Sequence, residues 1–501
     1  MSRGRKATLN TAFGFIEELV SLIAAFVMPR LILATFGSKY NGLATSISQF
    51  LACAVLLRAG IGGATRAALY KPLAEHDQAR FNSIVRATDL FMKRIGLILL
   101  GAIILFSTLY PLLVRNEFGW LFTASLFLII GLHTFAESFF GITYLIVLQA
   151  DQRLWVVTAF RCVCILLRTG IGAALILSGF SLHVIKASTA VIYVLYPLLL
   201  GVYVRRRYKI DLSVKPDFSA IAQRWDAFWH QTSLFIMNNT DVVVLTVFTS
   251  MLEVSVYSVY TLVFHGIQKT VASFTNGLEG AFGNMLARKE YALFGKNFAI
   301  VENMLYGLAT AICTACALII FDFVRLYTRG ITDVAYIRPD FAYVALASQF
   351  FNAVRIPYQM AVQAAGHYKQ TKWGAIVEPI VNIVLSILFV IRFGLVGVAV
   401  GTLAATVFRT WQYSVYMGKH ILPRNWMVVP FRLGVSAVEA AASIFLVRHL
   451  HLPVAETYAG WFLNSLVVGI VCLAVVCAGS LLAFRQESLG LVKKCRAVFS
   501  R

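Results

Sequence analysis

RAGIGGATRAALYKPLAE, residues 58–75, sets Arg58, Arg66 and Lys71 around a glycine-rich segment in a chain whose surroundings are almost wholly apolar. A related stretch, NGLEGAFGNMLARKEYALFG, returns at residues 276–295. At an offset of 217, Gly60 falls on Gly277, Gly63 on Gly280, Ala64 on Ala281 and Leu69 on Leu286. Two more echoes follow in the same order. Gln149-Ala150 matches Gln363-Ala364, and RTGIGAAL from Arg168 matches RFGLVGVAV from Arg392. Three echoes in the same order, at offsets between 214 and 224, mark an internal repeat, and the repeat decides how the chain is divided.

Composition fixes the medium. Of the 501 residues, 59% are hydrophobic and only 13% charged, whereas soluble domains carry about a quarter charged residues. About fourteen apolar runs, from 9–34 to 460–484, have the roughly 20-residue length that crosses a bilayer. The expected fold is therefore an all-α integral membrane protein of about 14 transmembrane helices. Its largest polar connection, RRRYKIDLSVKPDFSAIAQRWD at residues 205–226, separates two pseudo-symmetric six-helix lobes, 1–204 and 227–417. Residues 418–501 add two further helices and a basic tail. Six spans per lobe is an even number, so both lobes start on the same side and the repeat axis runs along the membrane normal.

The net charge of +21 does not form one nucleic-acid patch; it alternates from link to link. With the N-terminus inside, about 28 of the 44 Lys and Arg fall in or beside cytoplasmic segments and about 8 on the far side, the positive-inside bias. Both termini are expected in the cytoplasm. A cleaved signal peptide is disfavoured, because Glu17 and Glu18 interrupt the first run and no small-residue cleavage site follows.

Ionisable residues inside spans carry the functional signal, since each costs about 2.5–3.5 kcal/mol at the bilayer centre. They include Glu17, Glu18, Arg30, Arg58, Glu137, Arg161, Arg168, Asp241, Lys269, Glu279, Arg355, Glu378 and Arg409. Arg161 and Arg168 lie two turns apart on one helix face. Glu17, Arg161, Asp241, Lys269, Arg355 and Glu378 sit deepest and read as cavity residues; buried ion pairs such as Glu378 with Arg355 are the alternative. His133, one turn before Glu137, reads as a packed histidine. Arg30 and Arg58 stand near helix ends, where snorkelling to headgroups is the competing reading. Enzymatic motifs are missing: GIGG at residues 60–63 lacks the lysine and hydroxyl of a phosphate loop. Cys313 and Cys316 have no second pair to make a zinc site. No metal and no cofactor are expected.

The stretches NTAFGFIEELVSLIAAFVMPRLILATFGSKYNGLATSISQFL from Asn10, AGIGGATRAALYKPLAEHD from Ala59 and NNTDVVVLTVFTSMLEVSVYSVY from Asn238, with the spacing of spans, cover the whole chain in one likeness. It resembles the polysaccharide biosynthesis, or oligosaccharide flippase, family, O-antigen flippases among them, of the multidrug/oligosaccharidyl-lipid/polysaccharide exporter superfamily. The resemblance implies a flippase rather than an enzyme, moving an undecaprenyl-diphosphate-linked oligosaccharide across the bacterial cytoplasmic (inner) membrane by alternating access. It further implies a cationic cavity, for which Arg30, Arg58, Arg161, Arg168, Lys269 and Arg355 are the candidates. Asn238, Asn239 and Gln363 would meet sugars, and Glu17, Asp241 and Glu378 are the candidates for ion coupling. Implied partners are the lipid-linked oligosaccharide, membrane lipids, and a polysaccharide polymerase and glycosyltransferases; nucleic acid is not among them. An ion-coupled drug or metabolite antiporter of the same superfamily is the rival reading. A glycan polymerase or ligase is disfavoured by short outer connections, and a non-transporting assembly partner by the intramembrane charges.

Overall fold

The computed structural model describes residues 3–52, 61–114, 117–219, 239–275 and 278–499. All regular elements there are helices. Helices α1 (Arg3–Phe36), α2 (Ser38–Ala52), α3 (Ile61–Glu75), α4 (Gln78–Leu113), α5 (Trp120–Ala136), α6 (Ile142–Ala150), α7 (Leu154–Leu177) and α8 (Leu182–Tyr208) come first. Then follow α9 (Asn239–Phe248), α10 (Met251–Thr275), α11 (Leu278–Ala287), α12 (Tyr291–Tyr327), α13 (Pro339–Ala364), α14 (Lys372–Phe393), α15 (Leu395–His420), α16 (Val428–His449), α17 (Tyr458–Ala483) and α18 (Arg485–Phe499). Among the described residues nine helices are long and apolar enough to cross a membrane, so this is a multi-pass membrane protein. The described parts of the remaining expected spans are helical but different in kind, and of 227–249 only the part in α9 lies within the described residues. The described parts of 41–65 lie in α2 and α3, those of 253–285 in α10 and α11, and α13 and α15 carry buried charge that lowers their hydropathy.

Local chemistry sets the helix ends. Asp77 caps α4 by accepting the backbone N–H of Arg80 at 3.0 Å, and Thr457 caps α17 through Gly460 at 3.1 Å; both satisfy amides that a helix start leaves without partners. The repeat reappears in the stops. Left-handed residues follow α3 and α11 (His76, Lys289), α6 and α13 (Gln152, Gly366), and α7 and α14 (Gly179, Gly394). These pairs stand 213, 214 and 215 positions apart, close to the offsets of the sequence echoes. The long helices that come next match as well, 36 residues in α4 and 37 in α12.

The chain forms two compact units, residues 1–255 and 256–501. In the first, α1 and α7 run parallel, as the first and fifth spans of a lobe must. Their seam keeps register from end to end. Lys6 donates to Asp151 at 2.7 Å, Asn10 to the carbonyl of Gln152 at 3.0 Å, and Asn10 accepts from the amide of Trp155 at 2.8 Å. Further along, Glu17 meets Arg161, Met28 faces Gly172, and Ile32 packs with Ile176. In the second unit the apolar seam of α12 and α17 gathers Ala311, Ala315, Cys472 and Val476, with Val447 of α16.

Candidate functional site

Polar residues of α1, α5, α7 and α8 converge inside the first unit. The helix between α5 and α6 holds the group in place. Residues Glu137–Gly141 form a π turn, a one-residue insertion that re-aims side chains and recurs at functional sites. Gly141 is there because a Cβ would sit 2.8 Å from the ring of Pro197, the proline inside α8. The turn brings Glu137 within electrostatic reach of Arg161, Tyr193 and Tyr196.

Arg161 lies 3.5 Å from Glu17 and hydrogen-bonds the hydroxyl of Tyr196. Its side chain keeps 38% exposure against 20% for Glu17, so the pair is loose. Two turns on, the guanidinium of Arg168 sits over the ring of Tyr193 at 4.9 Å, a cation–π contact. The other neighbour of Tyr193 is His133, with ring centroids 3.8 Å apart. Nε of Arg168 is buried without a hydrogen bond. Lys186 of α8 stands beside Arg168 and forms no hydrogen bond or ion pair through its ammonium among the described residues. Arg161, Arg168 and Lys186 thus face Glu17 and Glu137, leaving cationic excess in a mostly apolar setting. Such a site attracts an anion.

The second unit handles charge differently. Arg355 grips Glu378 at 2.5 Å, and Arg409 approaches the other carboxylate oxygen at 3.4 Å. Arg409 also donates to Gln412 and Tyr413, each at 2.6 Å, and to the carbonyl of Thr371 at 3.3 Å. A second carboxylate, Glu302 of α12, takes two hydrogen bonds from Arg424 (2.8 and 3.0 Å), one from Tyr358 (2.5 Å) and an ion pair with Arg432 at 3.1 Å. Arg432 also donates to Asn303 at 3.2 Å. Both carboxylates are buried. In these networks each carboxylate is shared by two arginines, while Nε of Arg355, Arg409 and Arg432 is buried without a hydrogen bond.

Of the other sequence candidates, Arg30 is half-buried on α1 near Met28, and Asn239 accepts a hydrogen bond from Gln49. Asp241 is half-buried, Lys269 is exposed on α10, and Gln363 is half-buried at the end of α13. Arg58 and Asn238 lie outside the described residues. Sequence reading overlooked Lys186 and Glu302. Each is a charge within an apolar run, LHVIKASTAV and FAIVENMLYG, and that signal was sufficient to find both.

Outside the spans, Asp151 anchors the start of α1 against the turn into α7. Burial pushes its pKa up, but hydrogen bonds from Lys6 and Tyr208 and the charges of Lys6 and Arg153 outweigh this and hold it below the usual aspartate value.

A long helical chain with repeat-related helix stops and charge buried in its spans defines the class of polytopic membrane proteins. No protein-family model and no curated protein sequence matches it. Solved structures do. The chain is similar to a lipid II flippase MurJ in its inward closed conformation, with TM-score 0.70 and 14% identity over 95% of this chain and 99% of that one. It is also similar to an inward-facing multidrug resistance MATE family transporter of the MOP superfamily, with TM-score 0.62 and 12% identity over 79% and 95%. The MATE multidrug transporter DinF-BH gives 0.57 and 16% over 84% and 96%. At these identities the likeness is one of fold.

Proposed function

We propose that the protein is a flippase that translocates an undecaprenyl-diphosphate-linked oligosaccharide across the bacterial cytoplasmic membrane, by alternating access, for cell-surface polysaccharide synthesis. The observation that carries this reading is the cationic excess of Arg161, Arg168 and Lys186 at a polar cluster within the first unit. A diphosphate is the anion that rewards it, because guanidinium groups bind phosphate oxygens through paired, charge-assisted hydrogen bonds. Tyr193 and Tyr196 add hydroxyls and ring faces suited to sugars. The fold shared with a lipid II flippase supports a lipid-linked cargo. On this reading both termini are cytoplasmic, and a polysaccharide polymerase and glycosyltransferases act before and after the transport step.

The test is a liposome assay in which a labelled undecaprenyl-diphosphate oligosaccharide becomes accessible on the opposite leaflet. Arg161→Ala/Arg168→Ala should abolish movement while the protein still folds and inserts. Unchanged movement in that variant would reduce the two arginines to structural partners. Absence of movement in the wild type would favour drug or metabolite antiport, the reading supported by the two MATE neighbours.

A further inference from the structure

Glu439 lies near the middle of α16, about 16 Å from its start and about 15 Å from its end at 1.5 Å per residue. It is 5% exposed. The other carboxylates buried in the membrane helices of the second unit, Glu302 and Glu378, are each held by two arginines. Glu439 makes no ion pair among the described residues. Its side-chain partner is the hydroxyl of Ser480 on α17, which donates to Oε1 at 3.4 Å. The helices meet closely at this point: a Cβ on Gly479 would lie 2.6 Å from that oxygen, so no side chain fits between them. A carboxyl buried at mid-membrane without a cation is stable only as the neutral acid.

The surroundings of this acid are polar on one side and apolar on the other. Arg432, Ser436, Glu439 and Ser443 are buried on one face of α16 at spacings of four, three and four, a polar stripe reaching from the helix start past its middle. Beyond Ser443, Val447 packs with Ala311, Ala315, Val468, Cys472 and Val476 in a dry cluster. On the positive-inside orientation the start of the stripe lies on the cytoplasmic side, and the apolar cluster lies on the outer side. The charged and titratable groups along these packed elements are otherwise committed. Arg432 is tied to Glu302 and Asn303, and Glu302 is shared with Arg424 and Tyr358. Tyr306 bonds Tyr358, and the seam of α17 and α12 adds the thiols of Cys472, Cys313 and Cys316.

We infer that Glu439 is a proton-binding site. In the packed state of α16 and α17 it is the carboxylic acid. When the seam loosens and water enters along the serine stripe, it releases its proton to that water and becomes a carboxylate. Rebinding a proton closes the seam. On the transporter reading, this cycle would make transport respond to pH on the cytoplasmic side, because the proton leaves and returns there.

Two measurements test it. Infrared spectra of the full-length protein in nanodiscs, taken as a function of pH, should contain a protonated-carboxyl band at neutral pH that disappears on raising the pH and is lacking in Glu439→Gln. No such difference between wild type and variant overturns the site. Glu439→Asp, which retains the acid, should keep the band with a displaced midpoint, and it replaces the glutamine variant if that one fails to fold. In the liposome assay a change of pH on the side where α16 begins should change the wild-type rate and leave Glu439→Gln unaffected; an equal response of both overturns the pH-sensing role. If the wild type moves no oligosaccharide, the flippase reading fails while the infrared titration still decides the proton site.

Discussion

Two charge clusters, one in each unit, treat buried charge in opposite ways. In the first, Arg161 meets Glu17 at 3.5 Å with more than a third of its side chain exposed, and Arg168 and Lys186 have a tyrosine ring and each other as neighbours. In the second, Glu302 and Glu378 each draw two arginines to short range, with tyrosine, asparagine and glutamine filling the remaining bonds. The lesson is that cations in a membrane protein are not equivalent signals. Those that share a buried carboxylate build the scaffold; those left with excess charge are, on the proposed reading, the ones a ligand meets.

The sharpest way to break this contrast is Glu302→Ala. It strands Arg424 and Arg432 in the interior, where loss of one partner of a buried pair costs about 3–5 kcal/mol. The expected result is a protein that loses its folded peak early in a thermal series followed by size-exclusion chromatography. Glu378→Gln should cost less, about 2 kcal/mol, because Arg409 keeps Gln412, Tyr413 and Thr371; the same melting series ranks the two. At the other pole, Arg168→Ala/Lys186→Ala should change stability by under about 1 kcal/mol, the scale of a cation–π contact, yet abolish flipping. Melting and transport measured on one preparation would separate these effects. A large loss of stability there would erase the distinction between the units.

The smallest expected effect concerns Asp151. Its folded pKa lies below its unfolded value, so the stability it contributes is present above about pH 4, the ordinary aspartate range, and is lost as pH falls through the folded value. Asp151→Asn should therefore melt below wild type near neutral pH, with the gap closing in acid. A gap that widened in acid would reverse the sign assigned here.

Much of the fold was legible because the bilayer demands long apolar runs and because the Gly60–Gly277 echo survives in sequence. Helix subdivision was less so. The described parts of residues 41–65 and 253–285 belong to two helices each, a difference that hydropathy averaged over about 20 residues does not register. At the site, the loose first-unit arginines and the Arg355–Glu378 pair were both written in spacing and polarity. The Glu302 network was not, since its arginines lie more than a hundred residues further along the chain and no periodicity connects them. Lys186 needed only a closer reading of its own span.

The parallel seam of α1 and α7 has a consequence for how the protein is made. Glu17 enters the membrane with its helix, but Arg161 leaves the ribosome only after the intervening residues are synthesised. At about 5–20 residues per second that interval is on the order of ten seconds. For that time the first helix waits without its partner, and every intermediate between them must be inserted first. A loose, half-exposed ion pair is the kind that tolerates such a delay, and the register of the seam, from Lys6 to Ile32, is then set late and in one docking event.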